Sequence, residues 1–331
     1  MRAWSLSEQS NIGDRPLNLV ELPDLEPNDG EIVIEVKASG ICRTDLHVAE
    51  GDLPLLRSPL TLGHEVAGIV AKVGSGVERF KVGDRAGMAW LNSACGKCEF
   101  CTSGRENLCP DARFTGWDAD GGFAEQARIS AEFAYHLPDD IPFEECAPLM
   151  CPGIAGYRSY ILTGVKGGMK LGLYGFGITG TYVIQIAKRL GVEVYVVTRS
   201  EINKEEARKL GADWVGGYDD EFPVKLDAGI IFPAVGPLVP EALGHIKDGG
   251  RLILAPVTMT PIVIDDFNLV WGEREIKSLA HITRKDGNEL IEMAMKKRFE
   301  TRVECFDFED LQEAMIKVSK GEVNGNAVVV L

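Results

Sequence analysis

The chain has 331 residues, with 35 Lys and Arg against 50 Asp and Glu, a formal charge of −15. Its length predicts about two domains at roughly 100–200 residues each. Its 45% hydrophobic and 26% charged residues exclude a disordered chain or a long coiled coil. The acidic excess excludes a phosphate-backbone binder, which needs clustered Lys and Arg, so no nucleic-acid partner is expected.

Met1-Arg2-Ala3-Trp4-Ser5 reaches polar residues at once, without the apolar stretch of a signal peptide. The longest uncharged run, Leu171 to Ala187, is broken by glycines and falls short of the roughly 20 residues of a membrane span. A cytoplasmic protein with no membrane partner is expected, and in a reducing compartment clustered cysteines are read as metal ligands before disulfides.

In chain order, Ile32–Val36 and Val66–Val73 are β-branched runs bounded by Gly and Pro, which predicts short strands over the first 150 residues. Cys42-Arg43-Thr44-Asp45-Leu46-His47 lies between those runs and Gly63-His64-Glu65 adjoins the second. Cys42 and His64, with a distant Cys151, would give three metal ligands and leave a fourth position open, as catalytic zinc sites do. Spacing alone leaves this open, because a lone Cys or His is more often a core residue. The next segment is sharper. Cys95, Cys98, Cys101 and Cys109 form C-x2-C-x2-C-x7-C, a set suited to a closed, structural zinc site. Iron–sulfur ligation is the alternative, but the last gap is longer than the ferredoxin spacing.

From about residue 153 strand-like and helix-like runs alternate: Lys170–Tyr174, Ile178–Leu190, Val192–Thr198 and Lys204–Leu210, then strands at Ala228–Ile231, Arg251–Leu254 and Ile276–Leu279. Such alternation predicts a doubly wound parallel sheet, an α/β fold. Gly175-Phe176-Gly177-Ile178-Thr179-Gly180 follows the first strand and opens the first helix, where G-x-G-x-x-G admits a dinucleotide pyrophosphate. At the end of the second strand, where an acid would mark NAD, stand Thr198, Arg199 and Ser200. A cation and two hydroxyls suit a 2′-phosphate, so NADP(H) is expected over NAD(H). A helix over Asp310–Lys320 and a terminal strand over Ala327–Leu331 end the chain.

These motifs, taken together and in order, resemble the zinc-dependent medium-chain alcohol dehydrogenase family along essentially the whole chain. The resemblance is carried by Gly63-His64-Glu65-Val66-Ala67-Gly68 with Gly74 and Val77, by Cys42-Arg43-Thr44-Asp45, by the four-cysteine segment, by Gly122-Phe123-Ala124-Glu125 and by Leu149-Met150-Cys151. It implies a mainly β GroES-like catalytic domain, residues 1–150 completed by 286–331, and a Rossmann nucleotide domain, residues 151–285, with a cleft between them. It implies two Zn²⁺ per chain. Cys42, His64 and Cys151 would hold the catalytic ion with Glu65 able to exchange onto it, Asp45 would orient His64, and Thr44 and His47 would carry the proton relay. Arg43 would meet the cofactor pyrophosphate and Trp90 would wall the substrate pocket. The implied activity is interconversion of alcohols with aldehydes or ketones, by an enzyme that is a dimer or tetramer.

Some features point elsewhere. Gly325 is followed by Asn326, where many relatives carry a second pyrophosphate arginine. Cys146 and Cys305 match no ligand position. Polyol dehydrogenases usually place a carboxylate where Cys151 stands, so Cys151 favours simple alcohols and aldehydes, with a cinnamyl-type reductase as an alternative. A non-catalytic zinc or nucleotide-binding protein is the other alternative, and the intact Cys42, Thr44, His64 and Cys151 argue against it.

Overall fold

The computed structural model describes residues 1–331. The chain forms two units, Met1–Ile154 with His281–Leu331, and Ala155–Ala280. All eight cysteines are free thiols, and no helix is long and apolar enough to cross a membrane.

The first unit is mainly β. Its largest sheet runs in the order Tyr135–His136, Arg85–Met88, Glu65–Val73, Glu31–Gly40, Asn326–Val330, Val303–Asp307, with Gln126–Ser130 also pairing to Glu31–Gly40. The long central strand Glu31–Gly40 alternates buried Ile32, Ile34, Val36 and Ala38 with more exposed neighbours, apart from buried Val33 and Ser39, the period of two that a half-buried strand demands. The chain's end returns to this sheet. Val328 lies opposite Gly40 in antiparallel register, and Asn326–Val330 pairs in parallel with Val303–Asp307. A smaller sheet joins Arg2–Leu6 to Leu17–Glu21 and Leu60–Thr61. Trp4, Leu6, Ile12, Leu46, Phe123, Phe308, Leu311 and Val329 close one core from both ends of the sequence. The Trp4 indole donates to the Phe308 carbonyl at 2.9 Å.

The segment that re-enters this unit begins with an amphipathic helix that buries Gly287, Leu290, Ile291 and Ala294. Thr283 caps Arg284–Lys296: its hydroxyl accepts from Asp286 N–H at 3.2 Å and its own N–H donates to the Asp286 carboxylate at 2.8 Å. This reciprocal pair is a capping box. Arg284 donates through N–H and Nε to Glu106 at 3.0 and 3.2 Å, fixing the re-entry point beside the four-cysteine segment.

The second unit is the doubly wound sheet expected from the alternation. All six strands are parallel, in the order Trp214–Gly216, Glu193–Val197, Lys170–Tyr174, Leu226–Ile231, Ile246–Leu254, Glu275–Ser278. The order reverses between Lys170–Tyr174 and Leu226–Ile231, and Gly175 leaves the sheet at that switch point, where such folds bind ligands. The last strand, Glu275–Ser278, is exposed along its length.

One turn in the first unit tolerates almost nothing but glycine. Gly63 has φ +92°, and a Cβ there would stand 2.6 Å from the buried Phe123 ring. Gly63→Ala is expected to cost about 2–4 kcal/mol, the sum of left-handed strain and overpacking. Urea denaturation with an unchanged midpoint would contradict this.

Candidate metal and cofactor sites

Cys42 stands in extended conformation just before the helix Arg43–Glu50. Its N–H donates to Asp45 Oδ2 at 2.8 Å, so the helix is capped by its own third residue. The other Asp45 oxygen accepts from Gly63 N–H at 3.2 Å and lies 2.9 Å from His64 Nδ1. Asp45 and His64 are each 1% exposed. A carboxylate so placed only accepts, so it puts the His64 proton on Nδ1 and turns Nε2 outward as a ligand. Glu65 opens the strand Glu65–Val73 opposite Gly40. A Cβ at Gly40 would stand 2.1 Å from Glu65 Oε2, so the glycine makes room for the carboxylate.

Cys151 follows the short turn Ala147–Met150 and completes the group. The donor atoms of Cys42, His64, Glu65 and Cys151 all lie within 4.8 Å of one another, and the two sulfurs are 3.8 Å apart. Two sulfurs at about 2.3 Å from a tetrahedral zinc are separated by about 3.8 Å, so the set fits the ion. The protonation pattern fits too. The hydrogen bond from Cys151, and after it His64, hold the Cys42 thiol well below its usual range, while that same bond and burial push Cys151 well up. Burial alone would lower His64, but the Asp45 charge and hydrogen bond raise it well above its ordinary value. Burial drives the Glu65 carboxyl well up. Buried groups that share protons in this way are a donor set suited to a cation.

Cys95, Cys98, Cys101 and Cys109 form a second group of the same compactness. Cys95 and Cys101 sulfurs are 3.9 Å apart. Cys98 N–H points to Cys95 Sγ at 3.4 Å and Cys101 N–H to Cys98 Sγ at 3.5 Å. The N–H groups of Lys97 and Cys98 bring the Cys95 thiol down to about 6, whereas desolvation and the neighbouring thiols push Cys101 up to about 12. Four sulfurs with amides turned towards them leave no open position, the arrangement of a structural metal site.

Thr44 and His47 lie three residues apart on the helix Arg43–Glu50, hence on one face. The Thr44 hydroxyl oxygen accepts from Cys42 Sγ at 3.6 Å, while His47 Nδ1 lies 2.7 Å from Asp52 Oδ2. The two side chains share no hydrogen bond. Arg43 and His47 line a cavity of about 360 Å³ with Asn11, Glu50, Asp52 and Lys320.

Trp90 meets the His64 ring edge-on at 4.9 Å. Three further rings that spacing did not reveal surround it: Phe114 at 5.6 Å, Trp117 at 6.0 Å and His281 at 6.1 Å. His281 stands 4.4 Å from Phe114 and has φ +56°. It comes from the re-entrant segment, so no local pattern announces it.

In the second unit Gly175 has φ +78°, and a side chain there would stand 2.7 Å from Pro233. Gly177 precedes the helix Ile178–Arg189 with open space beside it, while a Cβ at Gly180 would lie 3.1 Å from the Phe176 ring. The free N–H groups of that helix thus begin beside an unobstructed glycine, as a phosphate cradle requires. Ile178 is 37% exposed at the same end. Arg199 is exposed at the end of Glu193–Val197, but its neighbours are committed. Thr198 is buried with its N–H on the Gly216 carbonyl at 3.0 Å, and Ser200 Oγ caps the helix Glu201–Lys209 by accepting from Asn203 N–H at 3.3 Å. Tyr218 also lies here: burial raises its hydroxyl, while Arg199 and the Gly175 backbone act in the opposite sense. Asn326 is 6% exposed and its amide donates to the Arg302 carbonyl at 2.9 Å.

The family profile described as "Alcohol dehydrogenase GroES-like domain" matches residues 28–139, and "Zinc-binding dehydrogenase" matches residues 179–296. The chain is 40% identical over 339 aligned positions to a protein of Mycobacterium tuberculosis named "Probable alcohol dehydrogenase AdhA", covering 100% of this chain and 97% of that one. A solved acetophenone reductase from Geotrichum candidum in complex with NAD superposes with TM-score 0.89 at 26% identity, covering 100% and 97%. A cobalt- and zinc-bound thermostable alcohol dehydrogenase from Pyrobaculum aerophilum superposes with TM-score 0.90 at 25% identity, covering 100% and 99%. The chain belongs to the zinc-dependent medium-chain alcohol dehydrogenase family. It is an oxidoreductase of the alcohol dehydrogenase type.

The two unassigned cysteines differ in exposure. Cys146 is buried and its thiol is pushed up to about 11 by that burial, while Cys305 is exposed. At pH 8 an aromatic disulfide reagent should label Cys305 in the folded protein and Cys146 only on unfolding. Peptide mapping reads the order, and rapid labelling of Cys146 would contradict it.

Proposed function

We propose that this enzyme interconverts small alcohols with their aldehydes or ketones, holds two Zn²⁺ per chain, and prefers NADP(H) to NAD(H). The observation that carries the reading is the group Cys42, His64, Glu65 and Cys151, two sulfurs, an imidazole and a carboxyl within 4.8 Å. Zinc bound there supplies a Lewis acid for the substrate oxygen, and the nicotinamide supplies or accepts the hydride.

The chain's own residues do the rest. The Cys42 and Cys151 thiolates with His64 Nε2 would hold the ion, and Asp45, on Nδ1, fixes the imidazole orientation. Glu65, beside them and without a salt-bridge partner of its own, would offer the ion a further carboxyl donor. Trp90 excludes water from one side. Thr44, with its hydroxyl at the Cys42 sulfur, takes the hydroxyl proton of the alcohol as it gives up its own, and His47 one helical turn away takes up that proton by way of water and releases it to the cavity at its outer side. Arg43, on the same cavity, takes a cofactor phosphate. Gly175, Gly177, Ile178 and Gly180 receive the pyrophosphate at the helix N-terminus. Arg199, Thr198 and Ser200 receive the 2′-phosphate, the guanidinium contributing most because Ser200 Oγ already accepts from Asn203 N–H. The four thiolates of Cys95, Cys98, Cys101 and Cys109 hold the second ion as a structural staple.

One observation favours a narrower substrate range. Phe114, Trp117 and His281 around Trp90 suit a planar aryl aldehyde of the cinnamyl type, and a panel of aryl and short-chain aldehydes separates the two readings. The exposed edge strand Glu275–Ser278, with Val263 67%, Phe267 66% and Trp271 72% exposed in the same unit, supports association of like subunits as a dimer or tetramer. Eight free thiols support a reducing, cytoplasmic location.

Cys42→Ser is expected to remove one zinc of two and nearly all turnover while the far-UV spectrum persists; elemental analysis with circular dichroism reads both, and retained turnover would refute the assignment. Arg199→Ala should lower kcat/KM for NADPH by about 10- to 100-fold, the worth of one charge-assisted hydrogen bond, and leave NADH nearly unchanged. An equal loss with both cofactors, or a wild-type preference for NADH, would overturn the cofactor assignment.

A further inference from the structure

The helix Arg43–Glu50 ends at Gly51, whose backbone is left-handed at φ 93° and ψ 6°. Glycine adopts that conformation without the Cβ penalty that other residues incur. The turn reverses the chain, so that Leu53 N–H donates to the His47 carbonyl at 3.0 Å. Gln9 Nε2 fastens the same turn, donating to the carbonyls of Val48 and Leu53 at 2.6 and 2.7 Å. The reversal carries Asp52 back under the last helical turn, where its Oδ2 lies 2.7 Å from His47 Nδ1.

An ionised carboxylate can only accept. The His47 proton therefore sits on Nδ1, and Nε2 of the neutral ring is left with its lone pair. Both side chains are open to solvent, at 26% and 58% exposure, and both line the cavity of about 360 Å³ with Arg43, Glu50 and Lys320. That volume admits several waters at roughly 30 Å³ each. An exposed pair of this kind contributes little to stability, so its placement calls for another explanation.

We propose that Asp52 is a positioning residue for proton transfer, holding His47 in the Nδ1–H tautomer so that Nε2 is kept as the proton acceptor. The inference rests on the reading of His47 as the outer member of the relay. A proton taken up at Nε2 makes an imidazolium opposite the Asp52 charge. Loss of that same proton to water of the cavity restores the neutral ring. No heavy-atom bond changes and no electron moves.

The test compares the wild-type holoenzyme with Asp52→Ala, Asp52→Asn and His47→Gln. In the wild type, two-bond ¹H–¹⁵N spectra of the imidazole should show a protonated Nδ1 and a bare Nε2. Asp52→Ala should shift the ring towards the Nε2–H tautomer and lower kcat for alcohol oxidation about tenfold, a fraction of the usual 10²–10⁴ worth of acid–base catalysis. The cofactor Kd, read by fluorescence, and the melting temperature should stay unchanged. Asn keeps an acceptor oxygen, so Asp52→Asn should recover most of the loss. A wild-type ring protonated on Nε2, or full kcat in Asp52→Ala while His47→Gln is impaired, would overturn this inference and leave the relay standing. Full kcat in His47→Gln would overturn the relay and this inference with it.

Discussion

The catalytic unit depends on one buried carboxylate. Asp45 is withdrawn from water almost completely, and an ionised group so placed is tolerable only when donors replace its hydration. Three N–H groups do so: Cys42 N–H on one oxygen, and Gly63 N–H with His64 Nδ1 on the other. Their arrangement joins the cap of the helix Arg43–Glu50 to the turn before Glu65–Val73. Residues far apart in sequence thereby become one rigid support, and the Gly63 turn is left-handed so that its amide can face that oxygen.

The same helix serves both ends of the chemistry. Its N-terminus, where the dipole favours negative charge, presents Cys42 as the sulfur that ionises most readily in the group. Its last turn, where the dipole favours positive charge, carries His47 above the reversal made by Gly51. Eight residues thus set the Cys42 sulfur of the Cys42, His64, Glu65 and Cys151 group and the His47 imidazole at opposite ends of one short element. One end is held by the helix's own Asp45, reaching to Gly63, and the other by Gln9 from outside the helix, fastening the C-terminal turn.

Elsewhere local bonding decides what a polar residue is free to do. Ser200 and Arg199 are neighbours at one strand end, yet the hydroxyl is engaged as a helix cap and the guanidinium is exposed. Asn326 stands next to Gly325 with its amide turned onto the Arg302 carbonyl inside the strand layer. A polar side chain with an internal partner must break a hydrogen bond before it can bind anything else.

The sequence alone determined whatever depends on short-range pattern. The parallel strands and their helices were legible from alternating apolar runs, the glycine turn from its place between Tyr174 and Ile178, and the four-cysteine segment from its spacing. These features lie within one element or one loop, where periodicity and covalent geometry leave few alternatives. The joining of Cys42 and His64 to Cys151 was legible only through family resemblance, because three separated residues have no local signal. Tertiary structure decided the remainder. Phe114, Trp117 and His281 meet at Trp90 because a distant segment re-enters the β unit, held by Arg284 on Glu106. Asp52 reaches His47 because a left-handed glycine reverses the chain, and Ser200 became a cap because the helix began there. Burial, partner and direction are properties of the packed chain, and they separate a residue that is chemically suitable from one that is able to act.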